Sequence, residues 1–486
     1  MATPQLHVPG IVALVMFGFL PGQLATAPAR AQCESAKLLA SDGETQDLFG
    51  YSVAIDGDTA VVTNRTEDYF DPPTAYVFMR QGDQWTEVAG LRPPDIEQSD
   101  DLGLSVAVSG DTIIVTGWGT DAYPKGLAIV YRFDGAAWTE QARLTPDPND
   151  PDLFHGTVAV AGDLAVVGGL GVAYVYRYDG ANWVAEQKLT PPAGFAGGMG
   201  YSVDVDHGVI VASTRSDTAD TGAVCIFEHD GAAWTCTQTL VSPHAAEQDE
   251  YGRSLAIAGD VLAVSARDWV DQEWAFFTYV YRHDGATWTF EQELTPGDPN
   301  MISLGGPVDI DGDLLVTLGL SAEHLPGVWT YQYDGAAWNH FTRLCPSDDP
   351  TAGLETFGYS IALSGQTALA GSPLDGQQAP AAGAAYAYEL IGEDCNHNGV
   401  CDARDIAEGY SLDDNDNGVP WECDCPGDFN FDRYVDLADL SILLAHYQDT
   451  NAAYIDGDIN FDGAVDLADL AELLAVYGNY CPPGRG

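Results

Sequence analysis

Apolar and polar positions alternate in short runs that return along most of the chain. The stretch FGYSVAIDGDTAVV, which begins at Phe49, holds two such runs, Ser52 to Ile55 and Ala60 to Thr63, on either side of a tight turn. Alternation with a period of two is typical of strands, and a Gly-containing turn between β-prone runs predicts a hairpin. Related stretches recur at intervals of 45 to 53 residues, with turn positions at Gly57, Gly110, Gly162, His207, Gly259, Gly312 and Gly365. The pattern therefore predicts seven strand-rich repeats.

Each repeat has room for two more strands. In the first repeat an apolar run, Ala75 to Met79, leads through Gly82-Asp83 to a further run that begins at Trp85. A similar join precedes Trp138, Trp183, Trp234, Trp288 and Trp338. Four strands repeated every ~40 to 50 residues predict a β-propeller, because one small sheet buries both faces only between neighbours around an axis. We therefore predict a mainly β chain with a seven-bladed propeller over residues 33–391, in which these tryptophans are packing residues.

The ends of the repeat region predict how the ring closes. The seventh repeat runs out at Leu390 without the edge segment that ends each earlier repeat. A matching segment, Ala36 to Leu39, stands 11 residues before Phe49 at the other end of the region. We expect this N-terminal strand to complete the last blade, which would remove two exposed sheet edges.

The repeats resemble FG-GAP repeats, which form the seven-bladed propeller of integrin α subunits. The residues nearest to that pattern are Phe49-Gly50, Phe357-Gly358 and Gly371-Ser372-Pro373. Calcium-binding blades of the family carry an Asp-rich loop between their first two strands, where this chain has Asp56-Gly57-Asp58 or Asp311-Gly312-Asp313. A two-residue turn cannot wrap six or more oxygens around Ca²⁺. We therefore expect no metal in the blades.

Composition and targeting signals favour an exported chain. An apolar run, Ile11 to Leu20, followed by Ala29-Arg30-Ala31, predicts a signal peptide over residues 1–31. No later run is long enough to span a bilayer, so we expect a secreted or cell-surface protein without a transmembrane segment. The 18 Lys and Arg against 73 Asp and Glu give a net charge of −55. Such a field repels nucleic acid and favours calcium or a high-salt medium, although most of these acids would serve as solubilising surface charge.

Two twelve-residue loops rich in Asp stand near the C-terminus. Their candidate calcium ligands, at loop positions 1, 3, 5, 7, 9 and 12, are Asp428, Asn430, Asp432, Tyr434, Asp436 and Asp439, and then Asp458, Asn460, Asp462, Ala464, Asp466 and Asp469. Oxygens at alternating positions converge on one cation if the chain turns sharply near position 6, where Gly is preferred. Gly463 meets this requirement, whereas Arg433 predicts a weaker or more strained first loop.

Each loop is followed by apolar residues spaced by three and four, which predicts a helix with one buried stripe. The stripes are Leu437, Leu440, Leu443, Leu444 and Tyr447, and Leu467, Leu470, Leu473, Leu474 and Tyr477. Residues 426–481 resemble the type I dockerin, a small module with paired EF-hand-like loops that binds cohesin domains, and residues 482–486 would be a tail. The resemblance implies Ca²⁺ as cofactor and a cohesin-like or cell-envelope protein as partner. Many such dockerins have hydroxyl residues where this chain has Leu437-Ala438 and Leu467-Ala468.

Residues 392–425 hold two further loops of Asp and Asn, which look like thrombospondin type 3 repeats. Their candidate ligands are Asp394, Asn396, Asn398, Val400, Asp402 and Asp405, and then Asp413, Asn415, Asn417, Val419 and Asp424. The resemblance implies that calcium stiffens a linker without a core. The alternative is a flexible spacer rich in Asp and Asn.

Nine cysteines in an exported chain suggest disulfides. Cys225 and Cys236 flank the Asp230-Gly231 turn at equal distances, which would let them face each other across one hairpin. Cys425 and Cys481 bracket the C-terminal module and are natural partners for tying its ends. The pairing of the other five stays open.

The sequence shows no nucleophile with a base, no clustered histidines and no isolated carboxylate pair. Function should then lie where the repeats differ, in the loops that join strands two and three and that join blades. Aromatic rings beside carboxylates in these loops would suit sugar stacking, or else the rings pack their own loops. The residues are Tyr69, Phe70, Trp118, Asp121, Tyr123, Asp217, Asp268, Trp269 and Trp274.

We expect a secreted, calcium-dependent, non-enzymatic binding or adhesion protein. Its propeller would recognise a glycan or a surface protein, and its C-terminal module would dock to a partner protein. One alternative is a polysaccharide-degrading enzyme, or a carbohydrate-binding accessory subunit, of a cohesin–dockerin assembly. Such an enzyme would need a carboxylate pair converging in a central pocket. A purely structural spacer is the third possibility.

Overall fold

The computed structural model describes most of the repeat region and part of the C-terminal module. The described residues are 33–65, 74–95, 102–117, 124–192, 197–216, 222–244, 250–270, 273–295, 301–321, 326–346 and 356–390, without 83, 148, 151 and 345, and then 406, 411, 420–421 and 425–480, without 431, 451–453 and 461–463. The predicted signal peptide and the thrombospondin-like ligands fall outside them. Within these ranges no helix is long and apolar enough to cross a membrane.

The described repeat region folds into seven four-stranded antiparallel sheets, as predicted. The first strand is β1, Cys33–Leu38. Blade 1 has β2 Ser52–Asp56, β3 Thr59–Thr63, β4 Ala75–Gln81 and β5 Gln84–Leu91. Blade 2 has β6 Leu102–Ser109, β7 Thr112–Gly117, β8 Leu127–Phe133 and β9 Trp138–Leu144. Blade 3 has β10 Phe154–Ala161, β11 Leu164–Gly169, β12 Ala173–Tyr178 and β13 Trp183–Leu189.

The remaining blades repeat this order. Blade 4 has β14 Gly197–Asp206, β15 Val209–Ser216, β16 Ala223–His229 and β17 Trp234–Leu240. Blade 5 has β18 Leu255–Ala258, β19 Val261–Val270, β20 Glu273–His283 and β21 Trp288–Glu293. Blade 6 has β22 Met301–Asp311, β23 Leu314–Ser321, β24 Pro326–Tyr333 and β25 Trp338–Leu344. Blade 7 has β26 Ile361–Ser364, β27 Thr367–Ser372 and β28 Ala384–Glu389.

The N-terminal strand closes the ring, as the repeat spacing predicted. The seventh sheet has the order β26, β27, β28, β1. β1 runs antiparallel to β28, with Cys33 opposite Glu389 and Leu38 opposite Ala385. Lys37 Nζ lies 3.0 Å from Asp375 Oδ2 and adds an ion pair across the closure. The last blade is therefore assembled from both ends of the repeat region.

Each seam between two neighbouring sheets is filled by an apolar cluster. The seam between blades 7 and 1 contains Leu38, Phe49, Val53 and Leu369, all buried. The Phe49 ring centroid lies 5.4 Å from that of Tyr76 in an edge-on contact. Phe154 and Phe357 make equivalent edge-on contacts in blades 3 and 7. The glycine after Phe49 is required by this packing, because Gly50 has φ +91° and an added Cβ would lie 2.2 Å from the Ala384 carbonyl oxygen of the next sheet.

The recurring tryptophans are packing residues, as predicted. Trp183, Trp234, Trp288 and Trp338 are buried, and Trp85 and Trp138 are partly buried against the seam clusters. The turn before five of these tryptophans, all except Trp85, is closed by an aspartate. Asp134 Oδ1, for example, accepts hydrogen bonds from the backbone N–H groups of Ala136 and Ala137, both at 2.8 Å. An Asx turn of this kind explains why the Asp-Gly join recurs at this place.

The innermost strand of each blade is an edge strand that faces the axis. In blades 1, 2, 3, 5, 6 and 7, side chains of the preceding blade accept hydrogen bonds from amides of this strand or of the turn that follows it. Val106 N donates to Ser52 Oγ at 3.2 Å, and Gly110 N donates to Asp56 Oδ2 at 2.6 Å. The second contact recurs at Gly162, Gly259 and Gly365, and Gly57 N donates to Ser364 Oγ across the closure. These contacts protect edges that would otherwise be open to pairing.

The described residues 425–480 contain two short helices, α1 Leu437–Ala445 and α2 Leu467–Val476, and a 3₁₀ turn, Tyr454–Asp456. Asp436 and Asp466 cap the helices, each in a capping box with the aspartate three residues later. The predicted buried stripes are only partly correct. Leu443 and Leu473 are fully buried and Leu440 and Leu470 pack partly against the same core, whereas the others are exposed: Leu437, Leu444, Tyr447, Leu467, Leu474 and Tyr477.

Deleting residues 33–38 should open the ring. The β28 edge would lose its partner and the Leu38 side chain would leave the seam, so we expect the thermal unfolding midpoint to fall by roughly 5 °C or more and the protein to self-associate. Removing the predicted tail, residues 482–486, is a control of nearly the same length and should change neither property. Calorimetry and size-exclusion chromatography measure both. A monomeric deletion variant with the wild-type midpoint would contradict the closure.

Candidate functional site

A cavity of about 820 Å³ lies on the propeller axis and is lined by the inner strands of all seven blades. One end, which we call the mouth, is formed by the residue after the Phe-Gly position of each repeat. These seven residues are Tyr51, Leu104, Gly156, Tyr201, Arg253, Gly306 and Tyr359. Arg65 joins them from the end of β3 in blade 1. The mouth therefore combines tyrosine rings with two guanidinium groups.

Tyrosine and arginine side chains contact each other on one side of the mouth. Arg65 Nη1 donates to Tyr51 Oη at 2.8 Å, and the Arg65 guanidinium lies 5.0 Å from the Tyr51 ring centroid. The Tyr51 and Tyr359 ring centroids are 5.1 Å apart at an interplanar angle of 45°. Burial and the hydrogen bond with Tyr51 raise the pKa of Tyr359, while the charges of Arg65 and Arg253 act to lower it. The phenol stays neutral, so it does not cancel the positive charge of the arginines.

Glu250 holds the arginine on the other side of the mouth. Its Oε2 lies 2.7 Å from Arg253 Nη1, and its Oε1 lies 2.6 Å from Arg267 Nη2. Burial acts to raise the pKa of Glu250, but the hydrogen bond from Arg267 and the charges of both arginines lower it. One carboxylate thus contacts two guanidinium groups, and its contact with Arg253 fixes where that side chain points.

Two carboxylates lie deeper in the cavity, three residues along the inner strands from the mouth and so about 10 Å away. Asp204 Oδ2 accepts from Ile257 N at 2.7 Å and its Oδ1 accepts from Val205 N at 2.8 Å. Asp309 does the same with Leu363 N and Ile310 N. The position is Ala in the other five blades: Ala54, Ala107, Ala159, Ala256 and Ala362. Both aspartates act as bridges between adjacent blades.

Burial decides the protonation of these two carboxylates. It raises the pKa of Asp204 to about 8, to which the charge of Asp309 contributes, and it raises the pKa of Asp309 to about 7. The amide hydrogen bonds favour the charged form but are too weak to offset the loss of solvent. A carboxylate pair in a central pocket is therefore present, although the sequence analysis did not single it out.

The candidate calcium loops keep their first and last carboxylates buried. Asp428, Asp439, Asp458 and Asp469 are at most 2% exposed. Asp439 accepts hydrogen bonds from Phe429 N and Asp436 N at 2.9 and 2.8 Å, and Asp469 makes the equivalent pair of contacts. Burial raises the pKa of Asp428, and the nearby charges of Asp439 and Asp432 add to this effect. Among the described side chains no group of three His, Cys, Asp or Glu is arranged to hold a metal ion, and Asp462 falls outside them.

The turn in the first loop is strained, as expected for a residue other than Gly at position 6. Arg433 has φ +75°, in the left-handed region that glycine adopts most easily. The backbone N–H of Arg433 donates to Asp428 Oδ2 at 2.7 Å, so this conformation is tied to the first carboxylate of the loop. The equivalent Gly463 lies outside the described residues.

The two loop–helix units are joined reciprocally. Val435 of the first loop exchanges backbone hydrogen bonds with Asn479 and Gly478, which follow α2. Val465 of the second loop exchanges them with Gln448 and Asp449, which follow α1. The module is therefore a pseudo-symmetric pair in which each loop is fixed by the segment after the other helix.

Most of the predicted sugar-stacking residues fall outside the described residues: Tyr69, Phe70, Trp118, Asp121, Tyr123 and Asp217. The backbones of the other three belong to the β19–β20 hairpin, where Trp269 pairs with Trp274 and Asp268 with Ala275. This hairpin projects at the same end of the propeller as the mouth.

Cys225 and Cys236 lie in the same hairpin and their side chains interact, but they are not joined by a disulfide. They are placed diagonally, with Cys225 opposite Thr239 and Cys236 opposite Phe227. The loop between the two strands is four residues long, and Asp230 N donates to Ala233 O within it. The hairpin is therefore not centred between Asp230 and Gly231, as the equal spacing of the two cysteines had implied. A bulge after Ile226 adds a further shift. Cys425 is disulfide-bonded, whereas its predicted partner Cys481 falls outside the described residues.

The match to a known family agrees with the sheets. A family model described as FG-GAP repeat matches residues 33–78, 85–131, 234–274 and 338–388. The propeller is built from FG-GAP repeats. Among solved structures, this FG-GAP propeller chain is similar to the structure of Pseudomonas aeruginosa periplasmic gluconolactonase, PpgL, with 14% identity, 60% of this chain and 84% of that chain covered, and a TM-score of 0.39. A search of curated proteins found no match.

The sequence analysis missed the mouth of the FG-GAP propeller. The signal was available in the repeats, because the residue after each Phe-Gly position varies between Tyr, Leu, Gly and Arg while its neighbours on both sides stay similar. A position that varies inside a constant strand is not filling a seam. The role of this position becomes visible only when the seven repeats are arranged around one axis, because the seven side chains then lie together at the mouth.

The double variant Asp204→Ala with Asp309→Ala should flatten the pH dependence of stability. A carboxyl group whose pKa is higher in the folded than in the unfolded state lowers the free energy of unfolding as pH rises between the two values. Here that window runs from the unfolded pKa of about 4 to the folded pKa values of about 7 and 8. The variant loses four hydrogen-bond acceptor atoms at every pH, so the comparison uses the slope of the unfolding midpoint against pH and not its absolute value.

The measurement is the thermal midpoint between pH 5 and pH 8. We expect it to fall by at least about 2 °C less in the double variant than in the wild type. Asp56→Ser, which removes an exposed carboxylate two residues farther along the inner strand of blade 1, controls for loss of a negative charge. Parallel slopes for the double variant and the wild type would refute the assigned protonation.

Proposed function

We propose that the chain is an exported, non-enzymatic binding protein, in which a calcium-dependent C-terminal module docks to a partner protein and the propeller holds a ligand at its mouth. The observation that carries the docking role is the exposure of large apolar side chains at equivalent positions of both helices. Leu437 and Leu467 are 69% and 68% exposed, and Leu444 and Leu474 are 54% and 56% exposed. Isolated exposed leucines are common, but a pair repeated on two symmetric helices indicates a contact surface.

The C-terminal loops fit Ca²⁺ by the chemistry of their donors. Their ligand positions supply carboxylate, amide and backbone carbonyl oxygens, which a hard cation with six to eight ligands prefers. Carboxylates buried as deeply as Asp428 and Asp439 have lost solvent, and a bound cation would replace it. The Arg433 backbone already has the sharp turn that such a loop needs. We extend the same assignment to the Asp and Asn ligands of residues 392–425.

The proposed partner is a protein with an apolar counter-surface, of the cohesin-like or cell-envelope class. Burying one leucine side chain contributes about 1.5–3 kcal/mol, so the exposed leucine pair on each helix would be a substantial part of the free energy of docking. The reciprocal joining of the two units presents the same leucine pair twice. Each helix thus offers an equivalent docking face.

A binding role for the propeller agrees with the state of the axial carboxylates. All four carboxylate oxygens of Asp204 and Asp309 accept hydrogen bonds from backbone amides, one from the aspartate's own strand and one from the next blade in each case. A general acid or base must instead reach the substrate. One observation nevertheless favours the polysaccharide-degrading alternative, since two carboxylates with raised pKa values share one cavity. Hydrolysis of a polysaccharide that disappears in the Asp204→Ala, Asp309→Ala variant would establish that alternative.

Replacing Arg433 should change calcium affinity through the backbone. Arg433→Gly removes the cost of the left-handed conformation, whereas Arg433→Ala keeps a Cβ and hence the strain, so the pair isolates this effect. We expect the Gly variant to bind Ca²⁺ about threefold to tenfold more tightly than the Ala variant, as measured by calorimetric titration of the full chain. Equal affinities, or tighter binding by the Ala variant, would contradict a strained first loop that holds calcium.

Docking is tested with the full chain immobilised and exposed to the extracellular fraction of the source culture. The variant carries Leu437→Ala, Leu444→Ala, Leu467→Ala and Leu474→Ala. We expect a partner that the wild type retains in calcium to be lost both with the variant and with a chelator, because burying four leucines contributes most of the contact. A matched control replaces exposed apolar residues of the propeller, Leu170→Ala with Val241→Ala, and should retain the partner. Retention by the fourfold variant and in chelator would exclude the proposed docking.

A further inference from the structure

We propose that Cys236 and Cys225 of blade 4 form a redox-active pair, in which Cys236 exchanges with a small disulfide from solution and Cys225 then completes an intramolecular disulfide. Blade 4 would thus hold a site of reversible covalent modification. The inference goes beyond the proposed binding function and does not rest on it, because the two cysteines belong to the outer strands β16 and β17 and not to the mouth.

The two sulfur atoms lie together on one face of the blade 4 sheet. Cys236 is opposite Phe227, which comes two positions after Cys225 on β16. Residues two apart on a strand share a face, so both cysteines lie on the same side of the sheet. Thr239 Oγ1 is 4.0 Å from Cys225 Sγ and 3.6 Å from Cys236 Sγ. One hydroxyl therefore contacts both sulfurs, and both side chains pack against the apolar cluster between blades 3 and 4.

The repeat does not require cysteine at either position. The bulge that separates the pair recurs in the outer strands of the other blades and fixes which residues are equivalent. At the position of Cys225 these residues are Tyr76, Ile129, Tyr174, Tyr279, Trp329 and Tyr386. At the position of Cys236 they are Glu87, Glu140, Ala185, Phe290, His340 and Glu34. The thiol pair is therefore an addition to the common pattern, made in one blade.

Exposure sets the order in which the two thiols react. Cys225 is fully buried, whereas Cys236 is half-buried. The strand that carries Cys236, β17, is also the outermost strand of its four-stranded sheet. A molecule in solution therefore reaches Cys236 first, and Cys225 reacts through Cys236.

Hydrogen bonding prepares Cys236 as the nucleophile. The Cys225 thiol lowers the pKa of Cys236 below that of an ordinary thiol, the Thr239 hydroxyl and the backbone act in the same direction, and burial opposes them. The same contact between the thiols, together with burial, raises the pKa of Cys225. A thiolate attacks a disulfide much faster than a thiol does. Cys236 is therefore the attacking residue, and Cys225 keeps its proton until the second step.

The chemistry consists of two thiol–disulfide exchanges. In the first, Cys236 Sγ attacks one sulfur of the small disulfide, whose S–S bond breaks, and one small thiolate leaves. In the second, Cys225 gives its proton to solvent, its Sγ attacks Cys236 Sγ, and the other small thiolate leaves. The two cysteines lose two electrons and two protons in total, and the small disulfide is reduced to two thiols.

Closure requires a small movement of β17. The sulfurs must approach to a bond length of about 2.05 Å, and diagonal neighbours in a sheet usually have Cα atoms ~7–8 Å apart. The bulge after Ile226 lies between the two cysteines, and a bulge bends the strand that carries it. Because β17 is an outermost strand, it can shift toward β16 without displacing a further strand of its sheet.

The test exposes the folded full chain to mixtures of reduced and oxidised glutathione and then blocks the remaining thiols in acid. Cleavage after Glu228 separates the two cysteines in sequence, so mass spectrometry shows whether they are free, joined to glutathione or joined to each other. We expect the wild type to pass reversibly from free thiols to joined fragments as the share of oxidised glutathione rises.

Cys225→Ala and Cys236→Ala are a matched pair, because each removes one sulfur from the same hairpin. Cys225→Ala should hold glutathione on Cys236 as a lasting mixed disulfide, since the second thiol is gone. Cys236→Ala should take up glutathione on Cys225 at least about tenfold more slowly, because that thiol is buried and less acidic. The thermal unfolding midpoint of each reduced variant shows that it is folded.

Two results for the wild type would overturn the inference: both thiols remain free across all mixtures, or glutathione stays on Cys236 without an internal disulfide. These do not require any variant to fold. Equal rates of glutathione uptake by the two variants would also overturn it, because the thiols would then react independently. Each of these results leaves the docking of the C-terminal module standing, since docking is measured on a different part of the chain.

Discussion

The structure depends on one constraint, which is that a sheet of four short strands cannot cover its own two faces. Each blade satisfies this constraint by contributing half of two seams, and the seam positions are therefore apolar in every repeat. The inner edge is satisfied separately, by hydrogen bonds from its amides to Ser and Asp side chains of the preceding blade. The innermost strand of each blade takes part in both, because it packs in the seam and donates these amide hydrogen bonds. Positions that fill neither role are left free to vary, and these line the axis.

The position of Asp204 and Asp309 shows how structural and chemical roles meet on that strand. An alanine at this place leaves the seam intact in five blades, so a carboxylate there is an addition to the repeat. In blades 4 and 6 the side chain accepts amide hydrogen bonds from two strands, which strengthens the contact between blades. The same location removes solvent and raises the pKa values of these carboxyl groups to about 8 for Asp204 and about 7 for Asp309.

The repeat spacing was sufficient to predict the sheets, their order and the closure by β1, because these depend on periodic residues such as Phe49 and on the missing strand after Leu390. The register across one hairpin was not predictable from equal spacing, since a four-residue loop and a bulge place Cys225 directly opposite Thr239 instead of Cys236. The exposure of Leu437 and Leu467 also differs from the pattern. Helices of nine and ten residues around one small core can bury only their central leucines, and periodicity alone does not set that limit.

The pairing of β1 with β28 joins residues that are more than 350 positions apart, such as Cys33 and Glu389. A ribosome produces the first of these long before the second, so the opening segment must wait until nearly the whole repeat region has been made. A product cut short by premature termination lacks β28 and cannot close. An unfinished chain therefore keeps unpaired sheet edges, which expose it to chaperones and proteases, whereas a finished chain can close the ring.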